Sequence, residues 1–324
     1  MSSVIVTGGC GFLGKHLVRS LVADGHEVCV IDDLSTGTPE GLPDGVKFRE
    51  LSVTTALAFR GLKAERVYHL ACPASPPKYQ ADPIATLHTC YMGTLAALEF
   101  CKNHDARLLF TSTSEVYGDP AVHPQPESYT GSVHTIGPRA CYDEGKRVAE
   151  TLCSEYAKKY GTEVRIARIF NTYGPGMNPT DGRVITNFIQ QARAGRPMTV
   201  YGNGQQTRSF CYVDDTIRGL KLLMESYVQE PVNIGNQCEW SIKHLAYEVF
   251  SQINPSSLWP VDDAAIEYLP AHRHDPMQRC PDISKAKELL NWKPTTLLRD
   301  GLKKMIEAMA NPPADTSRET SQPE

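Results

Sequence analysis

Tyr142 and Lys146 are the pair of residues in this chain whose types and spacing most clearly suggest chemistry. They are four positions apart in a helical pattern, so both side chains project from one face of the helix. An ammonium group beside a phenol stabilises the phenolate and lowers the tyrosine pKa toward working pH. Such a pair can take the proton of an alcohol while a nicotinamide takes the hydride. Because the same spacing also occurs on ordinary solvated helix faces, its meaning depends on the surrounding elements.

The N-terminal segment predicts a dinucleotide site. The apolar strand 3–7 is followed at once by a glycine-rich turn, and then by a helical pattern of apolar residues. Glycines in such a turn let the backbone approach a pyrophosphate, and the N–H groups at the start of the helix face the phosphates. The residues expected to contact the cofactor here are Gly8, Gly11, Phe12, Leu13 and Gly14.

The second predicted strand, residues 27–31, ends at Asp32. A carboxylate at this point accepts hydrogen bonds from the adenosine ribose and repels a 2′-phosphate, so it favours NAD over NADP. Asp33 adds to this repulsion, and no Arg or Lys follows closely. An ordinary β-turn-α unit is the alternative interpretation, but the acid at the strand end favours the cofactor site.

Composition limits the classes of partner. The formal net charge of −4 argues against nucleic-acid binding and against a basic membrane-binding face. The first strand begins close to Met1 and no apolar run approaches membrane-spanning length, so we expect neither a signal peptide nor a membrane partner. The ten cysteines show no Cys-x-x-Cys pair, and no histidines cluster at zinc spacing. This pattern predicts no metal site and a reducing, cytoplasmic location.

Strands and helices alternate along the first half of the chain, as in a parallel sheet covered by helices on both faces. Besides those above, we predict strands at 67–71, 107–111 and 164–168, and helices at 83–103 and through Tyr142 to about Tyr160. Beyond Asn171 the pattern loosens into turns rich in Gly and Pro. The expected fold class is α/β, with a doubly wound parallel sheet of the Rossmann type and a smaller C-terminal substrate-binding lobe.

Three regions follow from this pattern. Residues 1–170 form the NAD-binding domain, to which parts of 205–240 return, and residues 171–310 mainly form the smaller lobe. The polar, proline-bearing tail at 311–324 is expected to be disordered.

Several stretches match one known family in order: residues 72–76, 112–120, 141–147, 168–175, 181–184, 206–210 and 278–283. On these, the chain resembles the extended short-chain dehydrogenases/reductases, and within them the UDP-glucuronic acid decarboxylase family. The resemblance runs from the glycine turn to about Trp292, which is nearly the whole chain.

The resemblance implies a reaction on UDP-glucuronate. Tyr142, assisted by Lys146, removes the O4 proton while the C4 hydride passes to NAD, which leaves a ketone β to the carboxylate. Such an acid loses CO₂ readily, and hydrogen bonds from Tyr142 and Thr113 stabilise the developing enolate. Protonation at C5 and return of the hydride give UDP-xylose and regenerate NAD. Glu115 has a supporting role in this scheme.

Ser114 separates this reaction from its nearest alternative. Sugar-nucleotide 4,6-dehydratases carry an adjacent Asp and Glu at this place, because they need a general acid to expel a hydroxyl group. Serine cannot protonate that group at neutral pH, whereas loss of CO₂ needs no such acid. A strand-end serine bonded to backbone is an equally ordinary interpretation of this residue.

Other functions remain open at this point. A 4-epimerase has no evident use for Glu115 and the downstream arginines. A decarboxylase could instead release the 4-keto pentose together with NADH. A cofactor-sensing regulator on the same fold is disfavoured because the chain keeps both Tyr142 and Lys146.

The resemblance also implies binding residues. Leu70 and Ala71 join Tyr142 and Lys146 beside the cofactor. Guanidinium groups suit pyrophosphate and carboxylate, although an arginine taken at random is more often a surface residue. The implied substrate-binding residues are Pro73, Ser75, Asn171, Arg183, Val184, Asn187, Tyr201, Arg208 and Arg279.

The chain departs from the family pattern at several positions. Ser52 stands where an Asp usually holds adenine, and His88 and Cys90 stand where a Lys and an Asn are usual; the loop 129–135 also differs. The superfamily further implies a homodimer built on the Tyr-bearing helix and the preceding long helix. The residues predicted for that contact are Leu95, Leu98, Leu152 and Tyr156.

Overall fold

The computed structural model describes residues 2–255, 265–270 and 278–310, so the tail predicted at 311–324 lies outside the described part. Its main sheet has seven strands in the order β11-β6-β5-β4-β1-β2-β3, and every neighbouring pair is parallel. This arrangement confirms the doubly wound α/β fold. The strand order reverses between β1 and β4, and open sheets of this kind bind ligands at the carboxyl ends of the strands beside such a point.

The N-terminal half supplies six of these seven strands. The five predicted strands each end within two residues of the predicted end, since buried runs of β-branched residues are typical of parallel strands. The edge strand β3 was not predicted, and its residues are not buried. The bounds are β1 Ser3–Thr7, α1 Phe12–Ala23, β2 Glu27–Asp32, β3 Lys47–Glu50, β4 Arg66–His69, β5 Arg107–Thr113, α5 Ala140–Tyr160 and β6 Val164–Ile169; between β4 and β5 lie α2 Pro76–Ala81, α3 Pro83–His88 and α4 Thr94–His104.

The segment predicted as one helix at 83–103 contains a π-helical turn. This turn, Thr89–Gly93, joins α3 to α4 without a break in the chain direction. A π turn inserts an extra residue into a helix, and such turns are frequent at functional sites. Hydrophobic periodicity does not register a single inserted residue, so the π turn was not predicted.

The C-terminal half contributes one strand to the main sheet, and its other strands form separate small sheets. Its bounds are β7 Thr172–Tyr173, α6 Val184–Arg193, β8 Met198–Tyr201, β9 Thr207–Ser209, β10 Cys211–Tyr212, α7 Val213–Glu225, β11 Val232–Ile234, β12 Glu239–Ser241, α8 Ile242–Ile253, β13 Ile266–Leu269, α9 Ser284–Leu290 and α10 Leu298–Ala310. β11 pairs with β6 and so extends the main sheet. Three small two-stranded sheets (β10-β7, β12-β9 and β13-β8) belong to the rest of this half.

One apolar core joins the two halves of the chain. It contains side chains of α1 and β1 together with those of α6, α7, α8 and α10. Trp292 is completely buried in it, and its indole N–H donates to the carbonyl oxygen of Asp215 at 3.0 Å. The Asp215 carboxylate accepts the backbone N–H groups of Thr295 and Thr296 at 3.0 and 2.8 Å. Among the described residues, no helix combines the length and apolar character that crossing a bilayer requires.

Candidate active site

Tyr142 and Lys146 project from α5 toward the carboxyl end of β5, as their spacing predicts. Both side chains are buried, and the Lys146 ammonium lies 5.8 Å from the centre of the Tyr142 ring. Lys146 Nζ donates to the carbonyl oxygen of Thr111 at 2.8 Å, which fixes its position against the strand. Tyr79 stacks on Tyr142 with ring centres 5.1 Å apart and planes 5° from parallel. The Tyr142 ring therefore has both the stacked Tyr79 ring and the Lys146 ammonium group as neighbours.

The predicted lowering of the Tyr142 pKa is wrong for the protein alone. Burial is the main cause that raises this pKa well above its ordinary value, and the nearby Cys72 thiol adds to the increase. A hydrogen bond between Thr113 and the phenol acts in the opposite direction and does not overcome it. The sequence pattern gives the spacing of the two side chains but not the cost of removing a phenolate from water.

Thr113 and Ser114 lie where β5 passes into a short 3₁₀ turn, Ser114–Tyr117. The Thr113 hydroxyl accepts the backbone N–H of Glu115 at 3.3 Å, and it also hydrogen-bonds Tyr142. Ser114 is buried beside it. The turn ends at Gly118, which has a φ of 64° and where a methyl group would lie 1.8 Å from the carbonyl oxygen of Ser132. Only glycine fits there, so the turn that carries Glu115 has a fixed path.

Glu115 is held by two arginines. Arg279 Nη1 donates to one carboxylate oxygen, and Arg139 Nη1 donates to the other at 3.2 Å. Burial alone would raise the pKa of Glu115, but the charges of Arg279 and then Arg139 outweigh it and lower the pKa. Glu115 is therefore an anion at neutral pH. The sequence analysis predicted Arg279 as a substrate-binding residue, and the structure places its guanidinium against Glu115.

A cavity of about 320 Å³ lies beside this ion pair. It is lined by Glu115, Arg139, Asp143 and Arg279, and by the loop that follows the 3₁₀ turn. Asp143 Oδ1 and Arg279 Nε are both buried without a hydrogen-bond partner. Buried polar atoms of this kind are uncommon and are expected to face a ligand or solvent. Two unpartnered polar atoms on residues that line one cavity thus suit a polar ligand.

Asp143 lines this cavity, and the sequence interpretation did not single it out. Burial raises its pKa to about 8, the neighbouring Glu115 charge adds to the increase, and Arg279 and Arg139 oppose it. Asp143 therefore carries a proton at neutral pH while Glu115 does not. Its position directly after Tyr142 was the only available signal, because its surroundings come from distant parts of the chain.

The glycine turn forms a cradle that fits a pyrophosphate. A methyl group at Gly14 would lie 2.1 Å from the carbonyl oxygen of Gly8, and one at Gly8 would lie 2.7 Å from the backbone nitrogen of Ala71. α1 begins at Phe12 with Gly11 as its N-cap, and no side chain caps its first N–H groups. These donors remain available for phosphate oxygens. Phe12 and Leu13 are partly exposed in this first turn, and Leu70 and Ala71 are partly exposed across the turn from Gly8.

Asp32 lies at the end of β2, as predicted. Its two carboxylate oxygens accept the backbone N–H groups of Cys10 and Leu34, both at 2.9 Å. Partial burial raises its pKa, and these two hydrogen bonds limit the increase. The carboxylate thus orders the glycine turn and remains partly exposed. The residues present fit a dinucleotide whose adenosine ribose carries no 2′-phosphate.

The loop after β4 and the start of α6 meet at a second part of the site. Arg183, the N-cap of α6, donates to the carbonyl oxygen of Ala74 at 3.3 Å and pairs with Asp181 at 3.0 Å. Asn187 donates to the carbonyl oxygen of Gly182 at 3.2 Å. Several residues predicted to bind substrate therefore come together here: Pro73, Ser75, Arg183, Val184 and Asn187.

The other predicted substrate residues lie on or beside the short strands of the C-terminal half. Arg208 is mostly buried on β9, beside Ser209, whose hydroxyl donates to the Arg279 carbonyl oxygen at 3.4 Å. Tyr201 is partly exposed at the end of β8. The Asn171 carbonyl oxygen accepts the Cys211 N–H at 2.9 Å, which joins the residue before β7 to the first residue of β10. Arg208 thus lies on β9, the strand that contacts the Arg279 backbone through Ser209. Arg183 lies against the loop after β4.

The three departures from the family pattern have different surroundings. The Ser52 hydroxyl lies 3.0 Å from that of Thr54. His88 is exposed at the end of α3. Cys90 is buried in the π turn with its sulfur 3.2 Å from that of Cys72.

A possible metal-binding group was not visible in the sequence. Among the described residues, His123, Glu239 and Cys280 offer ligand atoms that lie within 4.8 Å of one another. Each already has a protein partner: His123 pairs with Glu239 at 2.9 Å, and the Cys280 thiol donates to the Gln237 carbonyl oxygen at 3.5 Å. The three lie far apart in the chain, so their spacing gave no metal signature.

A family model described as the NAD dependent epimerase/dehydratase family matches residues 4–235. The chain belongs to this family. NAD is therefore the cofactor, as the glycine cradle and Asp32 predict. The matched residues include Tyr142, Lys146 and Glu115, and they end before Arg279.

Relatives within this family are similar over nearly the whole chain. UDP-glucuronic acid decarboxylase 1 of Xenopus tropicalis is 50% identical over 305 residues, which are 94% of this chain and 71% of the relative. The structure of UDP-glucose 4-epimerase from Thermotoga maritima with UDP-glucose has a TM-score of 0.86 and 30% identity, and the match covers 95% of this chain and 98% of that one. UDP-glucose 4-epimerase from Thermus thermophilus, solved with NAD, has a TM-score of 0.83 and 26% identity, with 96% and 99% covered.

Proposed function

We propose that this protein is a UDP-glucuronate decarboxylase that uses tightly bound NAD and forms UDP-xylose through a 4-keto intermediate. The observation that carries the proposal is the 50% identity to a UDP-glucuronic acid decarboxylase over 94% of the chain. The solved epimerase from Thermotoga maritima is more distant, at 30%. The arrangement of Tyr142, Lys146, Thr113 and Glu115 supports the same reaction.

Tyr142 acts as the base toward the sugar O4 hydroxyl. NAD held by the glycine turn and Asp32 would supply a reversible hydride acceptor for C4. The protein alone holds Tyr142 protonated, so its deprotonation depends on the positive charges of Lys146 and of the bound cofactor. Lys146 is fixed on the Thr111 carbonyl at 2.8 Å, so it contributes a charge of constant position.

Loss of CO₂ from the β-keto acid places negative charge on O4. The Tyr142 phenol and the Thr113 hydroxyl hydrogen-bond each other, so both hydroxyls lie close enough together to reach the same substrate oxygen. Donors held in place before the reaction stabilise such charge with little reorganisation. Ser114 offers no acid at neutral pH, which disfavours expulsion of a hydroxide and thus a 4,6-dehydratase.

The final step at C5 requires a proton. Glu115 is ionised and flanked by Arg279 and Arg139, so it suits the positioning of the substrate or of a water molecule. Asp143 lines the same cavity and holds a proton at neutral pH. Environments that separate the pKa values of two neighbouring carboxyl groups commonly divide the roles of base and acid. We assign Asp143 as the proton store of the cavity.

The nucleotide is assigned to the smaller lobe and to the loop after β4. Arg183 and Arg208 supply guanidinium groups, which suit a pyrophosphate. Pro73, Ser75, Asn171, Val184, Asn187 and Tyr201 complete the proposed binding surface.

The proposal includes a homodimer in a reducing, cytoplasmic setting. All ten cysteines are free, which supports that setting. Leu98, one of the residues predicted for the dimer contact, is instead fully buried in the protein's own core. Exposed apolar residues on the same helices are better candidates: Ile84, Leu87, Tyr91 and Val148.

Analytical ultracentrifugation tests the dimer. Ile84 is 80% exposed, and Ile84→Asp should give a monomer. Ile136→Asp is a matched control because Ile136 is 88% exposed in a loop, and it should leave the dimer intact. A wild-type protein that sediments as a monomer would contradict the assignment.

Mass spectrometry and NMR of the product from UDP-glucuronate test the reaction. The expected product is UDP-xylose, with release of CO₂ and little net NADH absorbance. Growth of NADH absorbance in step with a UDP-4-keto-pentose would instead identify a decarboxylase that releases its intermediate. Tyr142→Phe should abolish CO₂ release while NAD binding remains, and unchanged release would refute the role of Tyr142.

A further inference from the structure

Two cysteine sulfurs lie in contact beside the proposed catalytic tyrosine. Cys72 Sγ and Cys90 Sγ are 3.2 Å apart, although the residues are 18 positions apart in the chain. Cys72 also packs against the cluster of Tyr79, Cys141 and Tyr142. The proposed reaction uses neither thiol.

The fold fixes both sulfurs. Cys72 follows β4 in the loop beside the glycine cradle, and its thiol also lies 3.4 Å from the Pro73 carbonyl oxygen. Cys90 lies in the π turn that interrupts the long helix. α5 packs directly on it, because a methyl group at Gly145 would lie 2.9 Å from Cys90 Sγ. The meeting of the two sulfurs therefore depends on the π turn and on a glycine in the catalytic helix.

The two thiols differ in chemistry and in access. Cys72 is partly exposed, whereas Cys90 is only 2% exposed. A hydrogen bond from Cys90 is the main cause that lowers the pKa of Cys72; burial opposes it, and the charge of Lys146 lowers it further. Burial and the donated hydrogen bond leave Cys90 as the thiol. This arrangement pairs a partly exposed cysteine with a shielded partner.

We propose that Cys72 and Cys90 form an oxidative modification site, at which a hydroperoxide converts the two thiols to a disulfide. The Cys72 thiolate attacks the terminal peroxide oxygen, the O–O bond breaks, and the alcohol leaves with a proton, which gives a sulfenic acid at Cys72. The Cys90 sulfur then attacks the Cys72 sulfur, and the Cys90 proton leaves with the hydroxide as water. Two thiols are oxidised, and one hydroperoxide is reduced to one alcohol and one water.

Disulfide formation would disturb the reaction centre. The sulfurs must approach from 3.2 Å to about 2.05 Å. Since Cys90 is wedged beneath α5 and Cys72 packs against Tyr142, the movement shifts the loop after β4 or the helix that carries Tyr142. Small displacements of catalytic groups can cost about a hundredfold in rate. Oxidation should therefore reduce turnover, and reduction should restore it.

Mass spectrometry of the oxidised protein tests the site directly. Full-length protein is treated with hydrogen peroxide, the remaining thiols are blocked, and the digest is searched for linked peptides. We expect a Cys72–Cys90 link, with the loss of two titratable thiols per chain, reversed by dithiothreitol. This readout does not involve UDP-glucuronate, so its failure is distinguishable from failure of the proposed reaction.

Two variants complete the test. Cys90→Asn, which places the family's usual residue at this position, should abolish the link and leave the protein insensitive to peroxide at the same dose. Cys141→Ser is the matched control, because Cys141 is a buried neighbour whose thiol contacts the Tyr79 carbonyl oxygen, and it should still form the link. Absence of the link in the wild-type protein, or a link formed by another cysteine pair in its place, would overturn the proposal.

Discussion

The guanidinium group of Arg279 donates a hydrogen bond to the carboxylate of Glu115, across 164 positions of the chain. Glu115 follows the central strand β5, whereas Arg279 belongs to the segment between β13 and α9. Both side chains are largely buried. This ion pair joins the C-terminal part of the chain to the reaction centre.

Arg279→Ala should both destabilise the protein and impair turnover. Leaving a buried charge without any partner costs about 3–5 kcal/mol. Arg139 still pairs with the Glu115 carboxylate in this variant, so the expected loss is smaller than that. Arg139→Ala is the matched control, since Arg139 holds the same carboxylate at 3.2 Å but is more exposed, and it should cost less. Urea denaturation at neutral pH measures both. Equal losses of unfolding free energy in the two variants would contradict the conclusion that Arg279 is the main counter-ion of Glu115.

The sign of the pH dependence follows from the lowered pKa of Glu115. Its ion pair stabilises the fold above the ordinary pKa of a glutamate, and this contribution is lost as the pH falls through the lowered value. The stability difference between wild type and Arg279→Ala should therefore shrink on acidification. A difference that stays constant below that pH would show that the loss is one of packing.

Asp143→Asn should remove a pH dependence of stability that is opposite in sign to that of Glu115. The folded pKa of Asp143 is raised to about 8, so the folded state binds more protons than the unfolded state between about pH 4 and 8. Wild-type stability should then fall as the pH rises through this window. The amide cannot ionise, so the variant lacks this loss. The free energy of unfolding of Asp143→Asn minus that of wild type should therefore be larger at pH 8.5 than at pH 5, by a few kcal/mol at most. Denaturant midpoints at the two pH values check this, and parallel changes in both proteins would contradict it.

The same variant separates a proton-supplying role from a structural one. If Asp143 supplies the C5 proton, Asp143→Asn should lower kcat, and the wild-type decline in kcat at alkaline pH should disappear. An unchanged pH profile with a lower kcat would leave Asp143 only a packing role.

Gly14→Ala should abolish NAD binding. The added methyl group would lie 2.1 Å from the carbonyl oxygen of Gly8, so the helix must move away from the glycine turn. Gly11→Ala is a graded control, because its methyl group would lie 3.3 Å from the same oxygen. Fluorescence titration with NAD should give a much larger loss for Gly14→Ala. Similar affinities for the two variants would argue against the cradle.

Asp32→Ala should weaken NAD binding and reduce the preference over NADP. Two backbone N–H groups of the turn lose their acceptor at 2.9 Å, so the turn loosens. The lost repulsion of a 2′-phosphate acts on NADP alone. Dissociation constants for both cofactors check this, and an unchanged ratio would contradict the role of the carboxylate. Asp33→Ala is the control, since Asp33 is exposed and bonds only the nearby Ser35 N–H among the described contacts.

Local pattern predicts much of the fold and part of the site. The strand ends, the glycine turn, Asp32 and the Tyr142–Lys146 spacing all depend on residues close together in the chain. The Glu115–Arg279 pair, the protonated Asp143 and the contact of Cys72 with Cys90 depend on tertiary packing. Burial also reversed the predicted change in the Tyr142 pKa, because the cost of desolvating a phenolate exceeds what a helix pattern reveals.

The C-terminal position of Arg279 has a consequence for chimaeras with relatives. A fragment that ends at β11 would keep the nucleotide cradle and the tyrosine, yet its glutamate would lose its principal counter-ion. Grafting a foreign C-terminal half would therefore retune an acid–base group on the opposite half, in addition to changing which sugar nucleotide is held. Under the proposed function, an exchange of the C-terminal half would therefore change substrate binding and the ionisation of Glu115 at the same time.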